Sequence, residues 1–251
     1  MLAASLTDPQ RAWLLALLIV WAALLFGGFA FGRLNAERTR RMPTWTRLAS
    51  SLALVVAAWS WLAFAPGGPA RPYALLIALG MSLGCLGDVC LAGILPLRQP
   101  VLWGIAAFGL GHIAYIAALA GLGNALGLDA ALPRWGALAA WLLAGLAGWY
   151  LVVWRGAAKR SILHATALPY ALLLAATAGL ATGLALQAPA CAPLALGGAL
   201  FLASDLILAA QLFNGMFFPL IGDVIWLTYG PAQAMIVYAA VVLPPLATRS
   251  A

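Results

Sequence analysis

The sequence predicts an all-α membrane protein: a single bundle of eight transmembrane helices that uses residues 1–251 as one domain. Of its 251 residues, 65% are hydrophobic and 8% are charged, whereas about one quarter of a soluble domain is charged. Apolar segments recur along the chain at about the 20 residues that a helix needs to cross a hydrocarbon core of about 30 Å. No stretch between them is long and polar enough to form a separate soluble domain.

The first four spans are separated by charged or Pro/Gly-rich segments. The first is too long for a signal-peptide core, and its basic cluster follows the apolar run instead of preceding it, which predicts a retained helix. The second span is short and ends before the turn segment 66–69, and Arg98 lies between the third and fourth. These spans are 12–32, 48–65, 73–95 and 100–121.

The last four spans follow the same logic. Pro133 and Arg134 precede the fifth span, the basic segment 155–161 separates the fifth from the sixth, and 214–218 is predicted to be a tight hairpin. The four spans are 135–154, 162–185, 192–213 and 219–243.

The basic residues predict the orientation. Cytoplasmic loops of membrane proteins are enriched in Lys and Arg, and one side of the bundle holds nine such residues against four on the other. We therefore expect loops 33–47, 96–99 and 155–161 in the cytoplasm and both termini outside, in the inner membrane of a bacterium. The net charge of +7 needs no nucleic-acid partner to explain it. The nine residues are Arg33, Arg38, Arg40, Arg41, Arg47, Arg98, Arg155, Lys159 and Arg160.

Three of the six acidic residues lie inside predicted helices. An ionised carboxylate at the centre of a membrane helix costs at least about 2.5 kcal/mol, so such residues usually face the bundle interior and have a function there. The alternative is a buried carboxylate that binds a partner and fixes helix packing. The intramembrane residues are Asp88, Asp205 and Asp223; the other three, Asp8, Glu37 and Asp129, fall in the N-terminal tail or in loops.

The depth of these carboxylates predicts a shared cavity. With a rise of about 1.5 Å per residue, Asp88 lies about 10 Å from the cytoplasmic end of its span, Asp205 about 12 Å and Asp223 about 6 Å. All three fall in one half of the membrane although their helices run in different directions, which indicates one polar cavity.

Other polar residues accompany them. His112 lies near the middle of the fourth span, where it is either part of the cavity or a packing residue that forms a hydrogen bond, and Tyr115 follows it. In the last span, spacings of 3, 3 and 4 residues place four polar or aromatic side chains on one helix face. These are Asp223, Trp226, Tyr229 and Gln233.

Four sequence blocks, in this order, resemble the YhhN family of membrane proteins, whose eukaryotic members include lysoplasmalogenases. The resemblance covers roughly residues 72–240. Three positions depart from the family pattern: Arg71-Pro72 stands for Lys-Pro, Gly111 for Ala, and Gly230 for a second tyrosine. The four blocks are Gly87-Asp88-Val89; Phe108 with Gly111-His112 and Tyr115; Phe201 with Ser204-Asp205; and Tyr229 with Ala232-Gln233.

The resemblance implies hydrolysis of the vinyl ether bond of a lysoplasmalogen, which gives a fatty aldehyde and a glycerophospho-alcohol. It implies that Asp88 and Asp205 are the catalytic pair, without saying which of them is the acid. Arg71 or the cytoplasmic arginines could attract the phosphate of this lysophospholipid substrate within the membrane lipid. The remaining polar residues would bind or orient substrate and water: His112, Tyr115, Ser204, Asp223, Tyr229 and Gln233.

The chemistry is compatible with two carboxyl groups. Protonation of the enol-ether carbon gives an oxocarbenium ion that water captures, and glycosidases handle a related ion with two carboxyl groups of divided role. We expect no metal site and no cofactor, and the cysteines (Cys85, Cys90 and Cys191) show no disulfide or zinc pattern. Two alternatives are a proton- or cation-coupled transporter, since membrane aspartates also form proton relays, and a non-catalytic lipid-binding protein.

Overall fold

The fold was obtained as a computed structural model, which describes residues 6–155 and 161–241. Within these ranges the chain is helical, with eight α-helices and no strand. A π-helical segment, Trp149–Trp154, continues α5, and short 3-10 turns flank α7 and α8 at Pro189–Cys191 and Ala239–Val241. The α-helices are α1 Asp8–Phe31, α2 Thr44–Phe64, α3 Ala70–Leu91, α4 Pro100–Leu126, α5 Ala131–Gly148, α6 Ile162–Ala185, α7 Ala192–Asn214 and α8 Ile221–Tyr238.

Local sequence signals set several helix ends. The side chain of Thr7 accepts from the backbone of Gln10, whose side chain accepts from the Thr7 backbone, so a reciprocal capping box starts α1. Gly127 and Gly215 follow α4 and α7 with φ of 67° and 62°. Glycine adopts this left-handed conformation without a steric penalty and ends a helix there.

Among the described residues, seven helices are long and apolar enough to cross a membrane: α1 to α7, the fifth with its π-helical extension. The protein is therefore a multi-pass membrane protein. The eighth helix has 18 residues, and three of them, Asp223, Pro231 and Gln233, reduce its apolar character.

Several predicted boundaries were wrong. The third span ends at Leu91 rather than at 95, because the chain turns through Gly93 with φ of 70°. The fourth continues five residues beyond its predicted end, and the seventh by one. The sixth has the predicted bounds. Parts of the predicted loop 155–161, including Lys159 and Arg160, and of span 219–243 lie outside the described residues, as does Arg249 in the C-terminal segment.

The predicted loop 33–47 is shorter than expected because α2 begins at Thr44. Arg47 therefore lies in the first turn of a membrane helix rather than in a loop. The start of this helix was predicted too late because Thr44, Thr46 and Arg47 are polar and were assigned to the loop. A helix end at the lipid headgroups also tolerates polar residues. This change of place matters for the site described below.

Packing between the helices forms a closed ring. Neighbours around it are α2 with α3, α3 with α4, α4 with α6, α6 with α7, α7 with α8, and α8 with α2. The first helix packs outside this ring against α2 and α8, and α5 packs outside it against α6. These two have the smallest buried fractions among the seven candidate spans. The ring places α3 and α7, which carry Asp88 and Asp205, on either side of a common interior.

A glycine-mediated contact joins α3 to α4. A Cβ atom at Gly111 would lie 3.0 Å from the carbonyl oxygen of Gly80. A Cβ atom at Gly87 would lie 2.5 Å from Cε2 of Phe108. Small residues let helix backbones approach closely in lipid, so Gly111, where the resemblance has alanine, permits this crossing.

Candidate active site

The structure brings Asp88 and Asp205 to one cavity of about 380 Å³. It lies at the end of the bundle where α3 and α7 finish and where α2 and α8 begin. Phe108 and Tyr229 line it from α4 and α8. A cavity of this volume falls within the range of small-molecule sites.

Asp88 is 5% exposed and is held by hydroxyl groups. Its Oδ2 atom accepts hydrogen bonds from Ser51 Oγ and, at 3.0 Å, from the Tyr229 hydroxyl. Gln233 Nε2 in turn donates to the Tyr229 oxygen at 2.5 Å, which orients that hydroxyl toward Asp88. Among the described residues, no hydrogen bond reaches Oδ1 of Asp88, so this oxygen is available to a ligand.

Asp205 is half-buried and is bound by two other hydroxyl groups. Tyr170 donates to Oδ2, and Ser204 Oγ lies 3.1 Å from Oδ1. The Ser204 hydroxyl also lies 2.9 Å from the carbonyl oxygen of Phe201. A hydroxyl has one proton, so Ser204 donates to only one of these two acceptors at a time.

An aromatic layer closes the inner end of the cavity. The rings of Phe108, Phe201 and Tyr229 meet edge to face, with centroids 5.0 to 6.3 Å apart. His112 lies behind this layer, its ring centroid 4.6 Å from that of Phe201. Edge-to-face contacts of this kind stabilise the rings beyond the free energy of their burial. The layer therefore forms a well-packed inner wall of the cavity.

His112 and Tyr115 were predicted to orient substrate, but neither lines the cavity. His112 is 1% exposed, and its Nδ1 atom forms a hydrogen bond of 2.9 Å with Thr177. Its Nε2 atom and the Tyr115 hydroxyl are buried and have no hydrogen-bond partner among the described residues. Their observed contacts are those of packing residues one layer below the cavity.

Asp223 also has a different environment from the other two carboxylates. It is fully buried, and its two oxygens accept the backbone N–H groups of Arg41, at 2.5 Å, and Met42, at 3.0 Å. Beside it, the N–H groups of Leu220 and Gly222 donate to carbonyl oxygens of the 32–43 loop. Asp223 thus joins this loop to the start of α8, and it does not line the cavity.

An apolar crevice of about 70 Å³ adjoins the polar cavity. Asp205 and Phe108 line both spaces. The crevice runs between α4, α6, α7 and the π-helical end of α5, all of which cross the membrane. Its other lining residues are almost all apolar, among them Ile105, Val153, Leu174, Leu202 and Leu212.

The chain belongs to the YhhN family. The sequence profile of that family matches residues 42–240, which is most of the chain. No curated protein and no solved structure matches it significantly. The match begins in the loop before α2, so it includes a helix that the predicted resemblance, over 72–240, had left out.

The structure explains one departure from the family pattern. Position 230, where the resemblance has a second tyrosine, is glycine in this chain. A Cβ atom there would lie 2.7 Å from Cδ2 of Leu25 on α1. A larger residue at this position would have to displace the Leu25 side chain, so glycine permits the close packing of α1 on α8 in this member of the YhhN family.

Sequence reasoning missed two residues of the site, Ser51 and Tyr170, and it placed a third, Arg47, in a loop rather than in α2. Each is a polar residue in or next to an apolar run, as Asp88 is. Ser51 follows Ser50 in the second span, and Tyr170 follows Pro169 in the sixth. Serine and tyrosine are common in membrane helices, so neither pattern singles out a site. Two of the four hydroxyl partners of the aspartates, Ser51 and Tyr170, therefore emerge only from the tertiary structure.

Proposed function

We propose that this YhhN protein is an integral-membrane hydrolase that cleaves the vinyl ether bond of lysoplasmalogens with Asp88 and Asp205. The observation that carries the proposal is the cavity that both carboxyl groups line, with an apolar crevice opening beside Asp205. A lysoplasmalogen has a polar glycerophospho end and an aliphatic chain, joined at the vinyl ether. The two spaces match this division, with the reactive bond at their junction.

The position of Asp205 favours it as the general acid. In a vinyl ether, the carbon that accepts the proton is on the side of the aliphatic chain, and the neighbouring carbon bonded to oxygen becomes cationic. Asp205 lines the crevice that would hold this chain, whereas Asp88 lines only the polar cavity. Both hydroxyl donors to Asp88 fall on Oδ2 and leave Oδ1 free to accept a proton from water, which suits Asp88 as the carboxylate that stabilises the cation and activates water.

The proposed reaction consumes one water molecule. The Asp205 carboxyl donates its proton to the chain-side carbon, and the ether oxygen shares the resulting positive charge. Water adds to the carbon bonded to oxygen while Asp88 accepts a proton from it, giving a hemiacetal. Breakdown of the hemiacetal breaks the carbon–oxygen bond to glycerol and releases a fatty aldehyde and a glycerophospho-alcohol. Proton transfer from Asp88 to the leaving oxygen and from the hemiacetal hydroxyl to Asp205 restores both carboxyl groups.

The direct test is aldehyde release by the purified protein in detergent. We expect equal amounts of fatty aldehyde and glycerophosphoethanolamine or glycerophosphocholine from a 1-alkenyl lysophospholipid. The 1-alkyl analogue, a saturated ether, should remain intact because it cannot form the oxocarbenium ion by protonation at carbon. The 1-acyl analogue should also remain intact. Cleavage of the 1-acyl analogue alone would contradict this proposal and indicate that the protein is an ester hydrolase.

We further propose that α8 is an eighth membrane span, because it completes the ring and its inner face is buried against α2, α3 and α7. The loops 32–43 and 92–99 would then face the cytoplasm of a bacterial cell, with both termini outside, as the basic residues predict. A C-terminal reporter active only outside the cytoplasm should give signal. Activity of a cytoplasm-specific reporter at that position would contradict this topology.

A further inference from the structure

Two arginines line the cavity that contains the aspartates. Arg47 extends from the first turn of α2, and Arg40 comes from the 32–43 loop; both are half-buried. The Arg47 guanidinium lies 5.3 Å from the centroid of the Trp226 ring, which is also in the cavity lining. Thr44 Oγ1 accepts from Nη2 of Arg47 at 3.2 Å and from Nη1 of Arg40 at 3.4 Å. One threonine therefore holds both cations together on the same side of the cavity.

Neither guanidinium is neutralised by a carboxylate at contact distance. In the part of the chain that the structure describes, one ion pair has its charged atoms within 4 Å of each other. It joins Arg11 to Asp8, at the opposite end of the bundle from the cavity. The Nε atom of Arg47 is buried and has no hydrogen-bond partner among the described residues. A buried cationic donor without a partner is costly, and an anion in the cavity would remove that cost.

Two other basic residues that the structure describes, Arg41 and Arg71, do not share this arrangement. Arg41, next to Arg40, donates to the carbonyl oxygens of Gly32 and Ala30 and thereby caps the end of α1. Arg71, which the sequence offered as a phosphate site, lies at the opposite end of α3 from Asp88. Over 17 residues this is about 25 Å along the helix, too far for a substrate that reacts at Asp88.

We propose that Arg47 and Arg40 form a subsite for the phosphodiester of a lysophospholipid, in the same cavity as the two aspartates. This rests on the proposed function and adds the headgroup end to it. Guanidinium groups bind phosphate oxygens in paired, charge-assisted hydrogen bonds. The subsite makes the protein select lipids with an anionic phosphate over neutral glycerolipids of the same chain.

The first test compares two substrates. The measured quantity is the ratio of kcat/KM for a 1-alkenyl lysophospholipid to kcat/KM for the neutral 1-alkenylglycerol. In Arg47→Gln this ratio should fall about tenfold to a hundredfold, which corresponds to the loss of one charge-assisted hydrogen bond. The change should come chiefly from a higher KM for the lysophospholipid. Arg40→Gln should lower the ratio less, and Arg47→Lys should retain part of it. Arg98→Gln, which removes an exposed charge outside the cavity, is the matched control. Equal loss on both substrates would show a structural role and overturn the proposal.

The second test does not depend on turnover. Binding of 1-acyl lysophosphatidylcholine and of the corresponding monoacylglycerol is measured in detergent by calorimetry. The wild type and Arg98→Gln should prefer the phospholipid, and Arg47→Gln should lose about tenfold of that preference. Equal preference in Arg47→Gln and Arg98→Gln would overturn the subsite. A further outcome separates the two proposals. If Arg47→Gln loses the preference for the phospholipid and the wild type releases no aldehyde from alkenyl substrates, the hydrolase proposal fails and the subsite stands.

Competition separates a lipid headgroup from free phosphate as the ligand. Glycerophosphocholine should displace the bound lysophospholipid at lower concentration than inorganic phosphate does, since the diester matches the substrate. Displacement by inorganic phosphate at equal or lower concentration would overturn the assignment to a lysophospholipid and indicate a site for the free anion.

Discussion

Asp88 and Asp223 are the same residue type, at the same end of the helix bundle, yet their surroundings differ. Asp88 receives side-chain hydroxyls on one oxygen and lines a cavity. Asp223 receives backbone N–H groups on both oxygens and is fully enclosed. Asp205 resembles Asp88 in its hydroxyl partners and its access to the cavity.

The difference shows how to interpret carboxylates in membrane helices. The energetic cost of a buried charge requires a partner but does not say which kind. Backbone amides are fixed by the fold and cannot move to serve a ligand, so a carboxylate bound by them contributes to folding. Side-chain hydroxyls can rotate away, so a carboxylate bound by them at a cavity can exchange a partner for substrate or water, as acid–base chemistry needs.

The largest expected effect comes from removing the cavity carboxylates. Asp88→Asn and Asp205→Asn should each lower kcat for alkenyl lysophospholipid by about a hundredfold to ten-thousandfold, the usual contribution of a general acid or base. Asparagine preserves size and keeps one acceptor oxygen, which can receive the hydroxyl hydrogen bonds made to Oδ2 of either residue, so thermal unfolding and elution in detergent should stay close to those of the wild type. Full activity of both variants would refute the catalytic assignment.

The enclosed carboxylate should show the opposite pattern. Asp223→Asn places an amide group against two backbone donors and should reduce the free energy of unfolding by about 1.5 to 3 kcal/mol, the value of a hydrogen bond to a charged group. The kcat of the folded fraction should stay close to that of the wild type. Asp129→Asn, at an exposed position in a loop, is the control for loss of charge alone. A lower kcat with an unchanged free energy of unfolding would contradict this structural role and indicate that Asp223 takes part in catalysis.

Two buried tyrosines provide a matched pair. Tyr229→Phe removes the hydroxyl that donates to Asp88 and should lower kcat about tenfold, equivalent to roughly 1.4 kcal/mol. Tyr115→Phe removes a buried hydroxyl that has no hydrogen-bond partner among the described residues. It should leave kcat nearly unchanged and stabilise the protein slightly. Equal activity losses in the two variants would contradict the division between the cavity and the layer behind it.

The smallest expected effect comes from neighbouring serines. Ser51→Ala removes one of two hydroxyl donors to Asp88, and we expect a loss of a few-fold in kcat, less than one net hydrogen bond. Ser50 donates instead to the carbonyl oxygen of Arg47, at 2.6 Å. Ser50→Ala should therefore change stability and not kcat. A larger kcat effect at Ser50 than at Ser51 would contradict the observed hydrogen bonds.

Much of the fold followed from the sequence because the bilayer imposes it. Each helix must be about 20 apolar residues long, and the predicted spans correspond one to one with α1 to α8. The errors fall at the ends, where polar residues such as Thr44 and Arg47 occur both in loops and in helix termini at the headgroups. The turn at Gly93 was missed because the residues after Leu91 are themselves apolar.

The sequence by itself determined that the chain is a helical membrane protein of the YhhN type with a few costly carboxylates at one depth. Hydropathy and the rise per residue suffice for this, since both act along a single helix. Only the tertiary structure decided which carboxylates line a shared cavity, which one binds the backbone of a loop, and that Arg47 lines the same cavity. These outcomes depend on the rotation of each helix and on partners more than a hundred residues away, such as Tyr229 for Asp88. Packing of the whole ring fixes both.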